Sequence, residues 1–375
     1  MERVRFYLPA RVRFGAGILQ ECLPEAALYG KSALIVCGRN FARSSGTLDR
    51  VRAVLDDTGL RCTEFADVSP EPDISDCIRA AEAARVFKAD LIVALGGGSA
   101  LDAGKVAAVL ATNSGDPSKY FGEEKMEKDA LPVVAVPTTC GSGSEVTRYA
   151  VIIDPSAGTK KTVSSERIIP KLAILDSDLL ATLPARLIAG TGMDAFAHAV
   201  EGYLSIKSDS FTRLLSRESV SLLLKNLPPA VMKDRQSLDA VFLASLYAGF
   251  VINHTGTIFV HGMAYGLTIR YRLHHGTANA LCLPYALSFL NAHGYGDELG
   301  AFSDLFTADH ILDFTRQLGL PTTLAEIGAT EQDIPVLARD AVKGCERSFR
   351  NMKIKLNEDD FIGIFSSMFQ GKSRS

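Results

Sequence analysis

The chain has 375 residues, 47% of them hydrophobic, which is more than one small core needs and makes two domains the natural expectation. Its 40 Lys and Arg residues against 43 Asp and Glu leave a net charge of −3, so no basic footprint for nucleic acid or an anionic membrane is present. Apolar runs such as residues 91–95 and 131–136 have strand length and fall short of a membrane span.

Residues 3–8 and 11–14 alternate polar and apolar side chains around Pro9 and predict an opening hairpin or paired edge strands. Residues 32–37 form an apolar, β-branched strand that ends at Gly38. Residues 48–58 are helical in period, and 61–65 predict another strand. A loop over 68–72 leads to a helix over 74–87 with an alanine-rich face. Residues 91–95 have the near-continuous apolar character of a strand buried on both faces of a parallel sheet. That strand runs into Gly96-Gly-Gly-Ser99 and a helix from about residue 101 to 112. A second buried strand, 132–136, empties into Pro137-Thr-Thr-Cys-Gly-Ser-Gly-Ser144. Strands alternating with helices argue for an α/β sheet with crossover connections.

Past residue 183 the texture changes to helical periods over 194–203, 211–226, 239–252, 285–291, 311–318 and 359–368. The expected architecture is an α/β domain over 1–182 and an all-helical domain over 183–375, with a frayed tail at 371–375. The opening Met1-Glu-Arg-Val-Arg-Phe6 has no apolar signal region, and the seven scattered cysteines contain no Cys-x-x-Cys. Buried reduced thiols in a cytoplasmic protein are therefore expected.

Asp194 and His198 stand four residues apart on a predicted helix, one above the other on the same face. His261 lies in Phe259-Val-His-Gly-Met-Ala-Tyr265, and His275 in Leu273-His-His-Gly276. Three imidazoles and one carboxylate, without a thiolate, suit Fe(II) or Zn(II). An ordinary helix-face pair is the competing reading of Asp194 and His198. Adjacent residues point apart, so only one of His274 and His275 can join the set, and the following Gly276 favours His275. Glu201, one turn beyond His198, is either a partner of a ligand or a helix-face ion pair. His254, His293 and His310 read as structural or surface residues.

In Gly96–Asp102 a buried strand turns into a helix, where glycines let backbone N–H groups approach a phosphate. The G-x-G-x-x-G pattern is not met, because residue 101 is Leu. Thr138, Thr139, Ser142 and Ser144 supply hydroxyls at the end of the next buried strand, where open α/β sheets bind ligands. Two such loops favour a nucleotide site over two tight turns.

These segments, together with residues 169–176, resemble the iron-containing (group III) alcohol dehydrogenases, the family that includes lactaldehyde reductase and 1,3-propanediol dehydrogenase. The resemblance implies a dinucleotide-binding domain, a helical domain of the kind also seen in dehydroquinate synthase, and a metal in the cleft between them. It implies Asp194, His198, His261 and His275 as metal ligands. Gly97, Gly98, Ser99 and Asp102 would hold the pyrophosphate, and Thr138, Thr139, Ser142 and Thr147 would line the cofactor. Lys160 would approach the nicotinamide-side ribose. Ala100, Gly104 and Ser142 replace the more usual Pro, Ala and Thr and keep the backbone and hydroxyl chemistry.

Two departures carry more weight. Where many members have a second histidine four residues after the third ligand, this chain has Tyr265, which leaves Tyr265 or His274 to pass the substrate proton. Where NAD-preferring members often have an Asp, it has Gly38 followed by Arg39, which makes room for a 2′-phosphate and offers it a cation. The expectation is a metal-dependent oxidoreductase moving hydride between NADP(H), with NAD(H) as second choice, and a primary alcohol or aldehyde. A homo-oligomer, dimer or larger, is expected with it. Two other classes fit part of the pattern. One is a lyase of the dehydroquinate synthase branch, which would need a polyanion pocket for which Arg148, Arg270 and Arg272 are candidates. The other is a non-catalytic relative that keeps the scaffold.

Overall fold

Along the central strands consecutive residues are apolar, so both faces of the sheet demand cover. The computed structural model describes residues 4–372, and the chain falls into two units, residues 7–183 and residues 184–372 together with 4–6. The first unit runs through β1 (Arg11–Gly15), the short α1 (Leu19–Cys22), β2 (Ser32–Gly38), the short α2 (Phe41–Ser44) and α3 (Thr47–Asp57). It continues with β3 (Arg61–Val68), α4 (Ile74–Phe87), β4 (Leu91–Gly96), α5 (Gly98–Thr112), β5 (Gly122–Glu123) and β6 (Val133–Pro137). It closes with β7 (Tyr149–Asp154), β8 (Thr159–Ser164) and β9 (Leu172–Asp176).

Six strands form one parallel sheet in the order β1-β9-β6-β4-β2-β3. The period of two sorts their side chains into two cores. Ala33, Ile35, Leu91, Val93, Val134 and Val136 pack with Leu48, Val51 and Leu55 of α3. Leu34, Val36, Ile92, Ala94, Val133 and Ala135 pack with Ala80, Ala81 and Ala84 of α4 and Val106 and Ala107 of α5. Asp73 caps α4 by accepting the Ser75 and Asp76 N–H groups, whereas α5 begins at Gly97 with no side-chain cap. The first amides of α5 are thus left for a ligand.

The expected opening hairpin is corrected. Residues 4–10 carry no strand, and residue 3 lies outside the described residues. β1 pairs in parallel with β9, a partner about 160 residues away that local alternation cannot reveal. β7 and β8 form an antiparallel hairpin that the sequence reading did not predict, with β5 added in parallel to β8. The turn signal was present in Asp154-Pro-Ser-Ala-Gly158: Asp154 accepts the Ser156 N–H at 3.0 Å, and Gly158 has φ of 60°.

The second unit holds α6 (Ala185–Leu204), α7 (Ser210–Val231), α8 (Arg235–Thr255), α9 (Phe259–Tyr271), α10 (His275–Ala292) and α11 (Gly296–Gly300). It ends with α12 (Ala308–Gln317), α13 (Ile334–Gly344) and α14 (Glu358–Gln370). α6 is buried without interruption from Ile188 to Leu204 and packs against α7, α8 and α10. α6 begins nine residues before the predicted start at 194, so Gly190 and Gly192 lie inside it and do not bound it. Their reason is close approach: a Cβ on Gly192 would meet the Leu227 side chain of α7 at 2.3 Å, and one on Gly190 would meet Thr277 Oγ1 of α10 at 3.0 Å. A Cβ on Gly276 of α10 would sit 2.1 Å from the Gly190 carbonyl oxygen, so α6 and α10 touch through backbone.

Helices α7 and α10 run through Pro228–Pro229 and Pro284, where the sequence reading stopped or started them. Proline removes an N–H and crowds the preceding turn, yet burial on the flanking residues holds both helices through it. α8 is long and apolar enough by composition to cross a membrane, but 67% of its apolar window is buried inside the unit, as in a core helix. Gly371 ends α14 with φ of 67°, the usual left-handed helix stop, and residues 373–375 of the expected tail lie outside the described residues.

Candidate active site

Three helices bring the expected metal ligands together. Asp194 comes from the middle of α6, His261 from the first turn of α9 and His275 from the first residue of α10. Asp194 Oδ1 lies 3.5 Å from His261 Nε2 and 3.9 Å from His275 Nε2, and one donor atom from each residue falls within 4.8 Å of the others. His198, the fourth expected ligand, stacks its ring on His261 with centroids 4.4 Å apart, beside this trio. Asp194, His198 and His261 are buried, and His275 is half-buried.

The donor set fits a divalent cation. The buried His261 Nε2 makes no hydrogen bond and faces the Asp194 carboxylate. Burial alone would push the Asp194 carboxyl up, but the His198, His261 and His275 imidazoles outweigh it and hold Asp194 well below the usual range. Burial likewise opposes charge on His261, but the Glu201 and Asp194 carboxylates overcome it and push His261 up to about 9.

Two buried polar residues support the trio. Glu201, one turn beyond His198, pairs with His261 Nδ1 and accepts the Val260 N–H at 2.9 Å. Asn279 donates from Nδ2 to Asp194 Oδ1 at 2.6 Å and lies 3.3 Å from His275 Nε2. Sequence reasoning missed Asn279, although a fully buried amide four residues after His275 on an apolar helix was a readable signal. Tyr265 is half-buried on α9, its ring 5.8 Å from that of His275 and 29° from parallel. His274 is exposed at the N-cap of α10.

In the α/β unit the two predicted loops leave neighbouring strands, β4 and β6, and pack on each other. A Cβ on Gly98 would meet the Ser142 Cβ at 2.8 Å, so only glycine lets these loops close up. The Thr138 N–H donates to the Gly96 carbonyl at 2.9 Å, and a Cβ on Gly97 would lie 3.1 Å from the Thr139 methyl. Ser99 donates to the Pro70 carbonyl at 2.5 Å. Asp102 accepts from the Ser144 hydroxyl at 2.5 Å and the Val151 N–H at 2.8 Å, so its carboxylate ties the loops to the small sheet.

The fully buried Lys105, unnoticed in the sequence, donates to the Thr147 and Tyr149 carbonyls at 2.8 and 2.9 Å. Lys160 pairs with Glu71 at 2.7 Å, and Arg39 pairs with Asp67 at 2.7 Å. Gly38 is open: a side chain there would meet only the Val68 carbonyl, at 3.8 Å. Of the cations considered for a polyanion pocket, Arg148 pairs with Glu124 at 2.9 Å and Arg270 with Asp340 at 2.5 Å.

Comparison with known proteins agrees with this fold. Residues 9–177 match the family model described as iron-containing alcohol dehydrogenase, and residues 188–369 match that for the C-terminal part of the Fe-containing alcohol dehydrogenase family. The chain is 30% identical to long-chain-alcohol dehydrogenase 1 of Geobacillus thermodenitrificans, with 99% of this chain and 98% of that protein covered. It is 33% identical to the 1,3-propanediol dehydrogenase of Klebsiella pneumoniae, with 91% and 92% covered. The solved structure of an alcohol dehydrogenase from Oenococcus oeni superposes with a TM-score of 0.90 at 30% identity, covering 98% of this chain and 100% of that one.

Proposed function

Since the chain belongs to the iron-containing alcohol dehydrogenase family, whose activity on alcohols and aldehydes it shares, we propose that it moves hydride between NADP(H) and a primary alcohol or aldehyde at the Asp194 site. The observation that carries this reading is the convergence of Asp194, His261 and His275 on one point in a buried helical core. His198 completes the ligand set in this reading, since its ring already lies against that of His261.

When bound there, Fe(II) supplies a Lewis acid for the substrate oxygen and lowers the pKa of the alcohol. The residues do the rest. Asp194 brings a negative charge that favours a cation, and Asn279 steadies its Oδ1. Tyr265 offers a phenol beside His275 as a proton donor or relay, and the exposed His274 offers a second route to water. In the other unit, the uncapped first amides of α5 and the Thr138, Thr139 and Ser142 hydroxyls suit the cofactor's pyrophosphate.

Preference for NADP(H) rests on Gly38 and Arg39. Position 38 has space and no charge, and the Arg39–Asp67 pair is half-exposed, so opening it to receive a 2′-phosphate costs about 1 kcal/mol or less. The test is steady-state turnover of short aldehydes with NADPH and with NADH on protein of measured metal content. NADPH is expected to win by about ten- to hundred-fold, the size of one charge-assisted contact. Gly38→Asp should reverse the preference, and equal efficiencies in the unaltered enzyme would refute the assignment. The scattered thiols, none in a disulfide and six of them buried, support a reducing compartment, and a dimer or larger assembly belongs to the same reading.

A further inference from the structure

Glu201 is a carboxylate with no exposed surface and two nitrogen partners on another helix, the Val260 N–H and His261 Nδ1. Both partners, Val260 and His261, lie in the first turn of α9. The N-cap residue of that helix, Ile258, supplies no side-chain acceptor. Glu201 reaches across from α6 and takes that role, placing a negative charge at the positive end of the α9 dipole. Its other oxygen pairs with Nδ1 of His261, the ring whose Nε2 faces Asp194.

We propose that Glu201 is a positioning residue for the metal: by accepting the Nδ1–H of His261 it fixes the tautomer whose Nε2 lone pair is turned toward Asp194 and the cation. The proposal rests on the metal reading of Asp194, His261 and His275. A carboxylate suits the position because it is acceptor only, with one oxygen for each of two donors. Glutamine does not. Its single carbonyl oxygen would serve the Val260 N–H, and its NH2 group would then face Nδ1. The imidazole would have to accept at Nδ1 and carry its proton on Nε2, where it blocks ligation. Charge points the same way, since Glu201 and Asp194 together bring two negative charges into a buried site, enough to neutralise one divalent cation.

The experiment measures zinc affinity by chelator competition on the full chain and on its Glu201→Gln and Glu201→Asp variants. X-ray absorption on each zinc-saturated protein then counts the imidazole ligands. Glu201→Gln should bind zinc about 10–100-fold more weakly and show one imidazole fewer. Glu201→Asp keeps two acceptor oxygens and should recover most of the affinity. Unchanged affinity and imidazole count in Glu201→Gln would overturn the proposal while leaving the metal reading intact. A wild-type chain that takes up neither zinc nor iron would sink the metal reading and this proposal with it. Should Glu201→Gln fail to fold, nitrogen NMR of the histidines in the wild-type zinc protein decides. The expected state has the proton on Nδ1 of His261 and zinc on Nε2; zinc on Nδ1 would overturn the proposal.

Discussion

Replacing Gly276 by alanine tests the idea that a backbone contact between α6 and α10 sets the ligand spacing. The new Cβ would lie 2.1 Å from the Gly190 carbonyl oxygen, 2.7 Å from its carbon and 3.1 Å from the Asp194 Cβ. Ordinary contact begins near 3.4 Å, so the closest approach is short by about 1.3 Å. The atom it meets belongs to the backbone of a buried helix and cannot rotate away, so the helices must part. Asp194 stands one turn along α6 from Gly190, and His275 adjoins Gly276, so that movement falls on the 3.9 Å separation of Asp194 Oδ1 and His275 Nε2.

Overpacking of this kind costs about 1–3 kcal/mol. A shift of roughly 1 Å exceeds the ~0.5 Å within which such a site works, so metal affinity should fall about 100-fold or more. Urea unfolding of the metal-free protein reads the first effect, and chelator competition the second. Gly363→Ala is the control: it lies on the exposed side of α14 with nothing within 4 Å of a new Cβ. It should gain about 0.4–1 kcal/mol and leave metal binding alone. If Gly276→Ala loses stability but binds metal as tightly as the wild type, helix spacing does not govern the site.

His275→Ala should abolish metal uptake while His274→Ala keeps it, because His275 and not its neighbour joins Asp194 and His261 in the donor cluster; elemental analysis of the two proteins decides, and metal retained by His275→Ala would sink the ligand set. Tyr265→Phe should lower turnover about ten- to hundred-fold at unchanged metal content if the phenol donates or relays the proton, and wild-type turnover would make Tyr265 a packing residue. Glu145 is buried, and desolvation pushes its carboxyl up to about 7 against weaker opposition from its own backbone N–H and Lys105. Its contribution is therefore complete below about pH 4.5 and lost as pH rises through 7, so Glu145→Gln should come close to the wild type near pH 4 and exceed it by about 1–3 kcal/mol at pH 8. Urea unfolding at both values checks this, and a pH-independent difference would refute it.

The parallel sheet was legible because buried strands such as β2, β4 and β6 are apolar at nearly every position and end at glycine or proline. The trio that the structure brings together was legible because Asp194 stands on a helix face with His198, and His261 and His275 each sit beside a glycine. The misreadings have one physical origin: local pattern does not report a distant partner. Gly190 and Gly192 signal a break to a local rule, whereas their role is set by α10 and α7, which no window around residue 190 contains. Pro284 suggested a helix start for the same reason, and His275 was thereby left off the helix that carries it. β1 was recognised as a strand but assigned a neighbour across Pro9, when its hydrogen bonds go to β9. Asn279 and Lys105 show the converse, polar side chains inside apolar helical runs whose oddity was visible while their partners were not.

The three converging donors come from three separate helices, and the outermost two, Asp194 and His275, are 81 residues apart in the chain. No nascent fragment ending before α10 holds more than part of the set, so a growing chain on the ribosome cannot acquire its cation early. Capture of the ion by all three donors therefore waits until α10 has been made and has packed against α6.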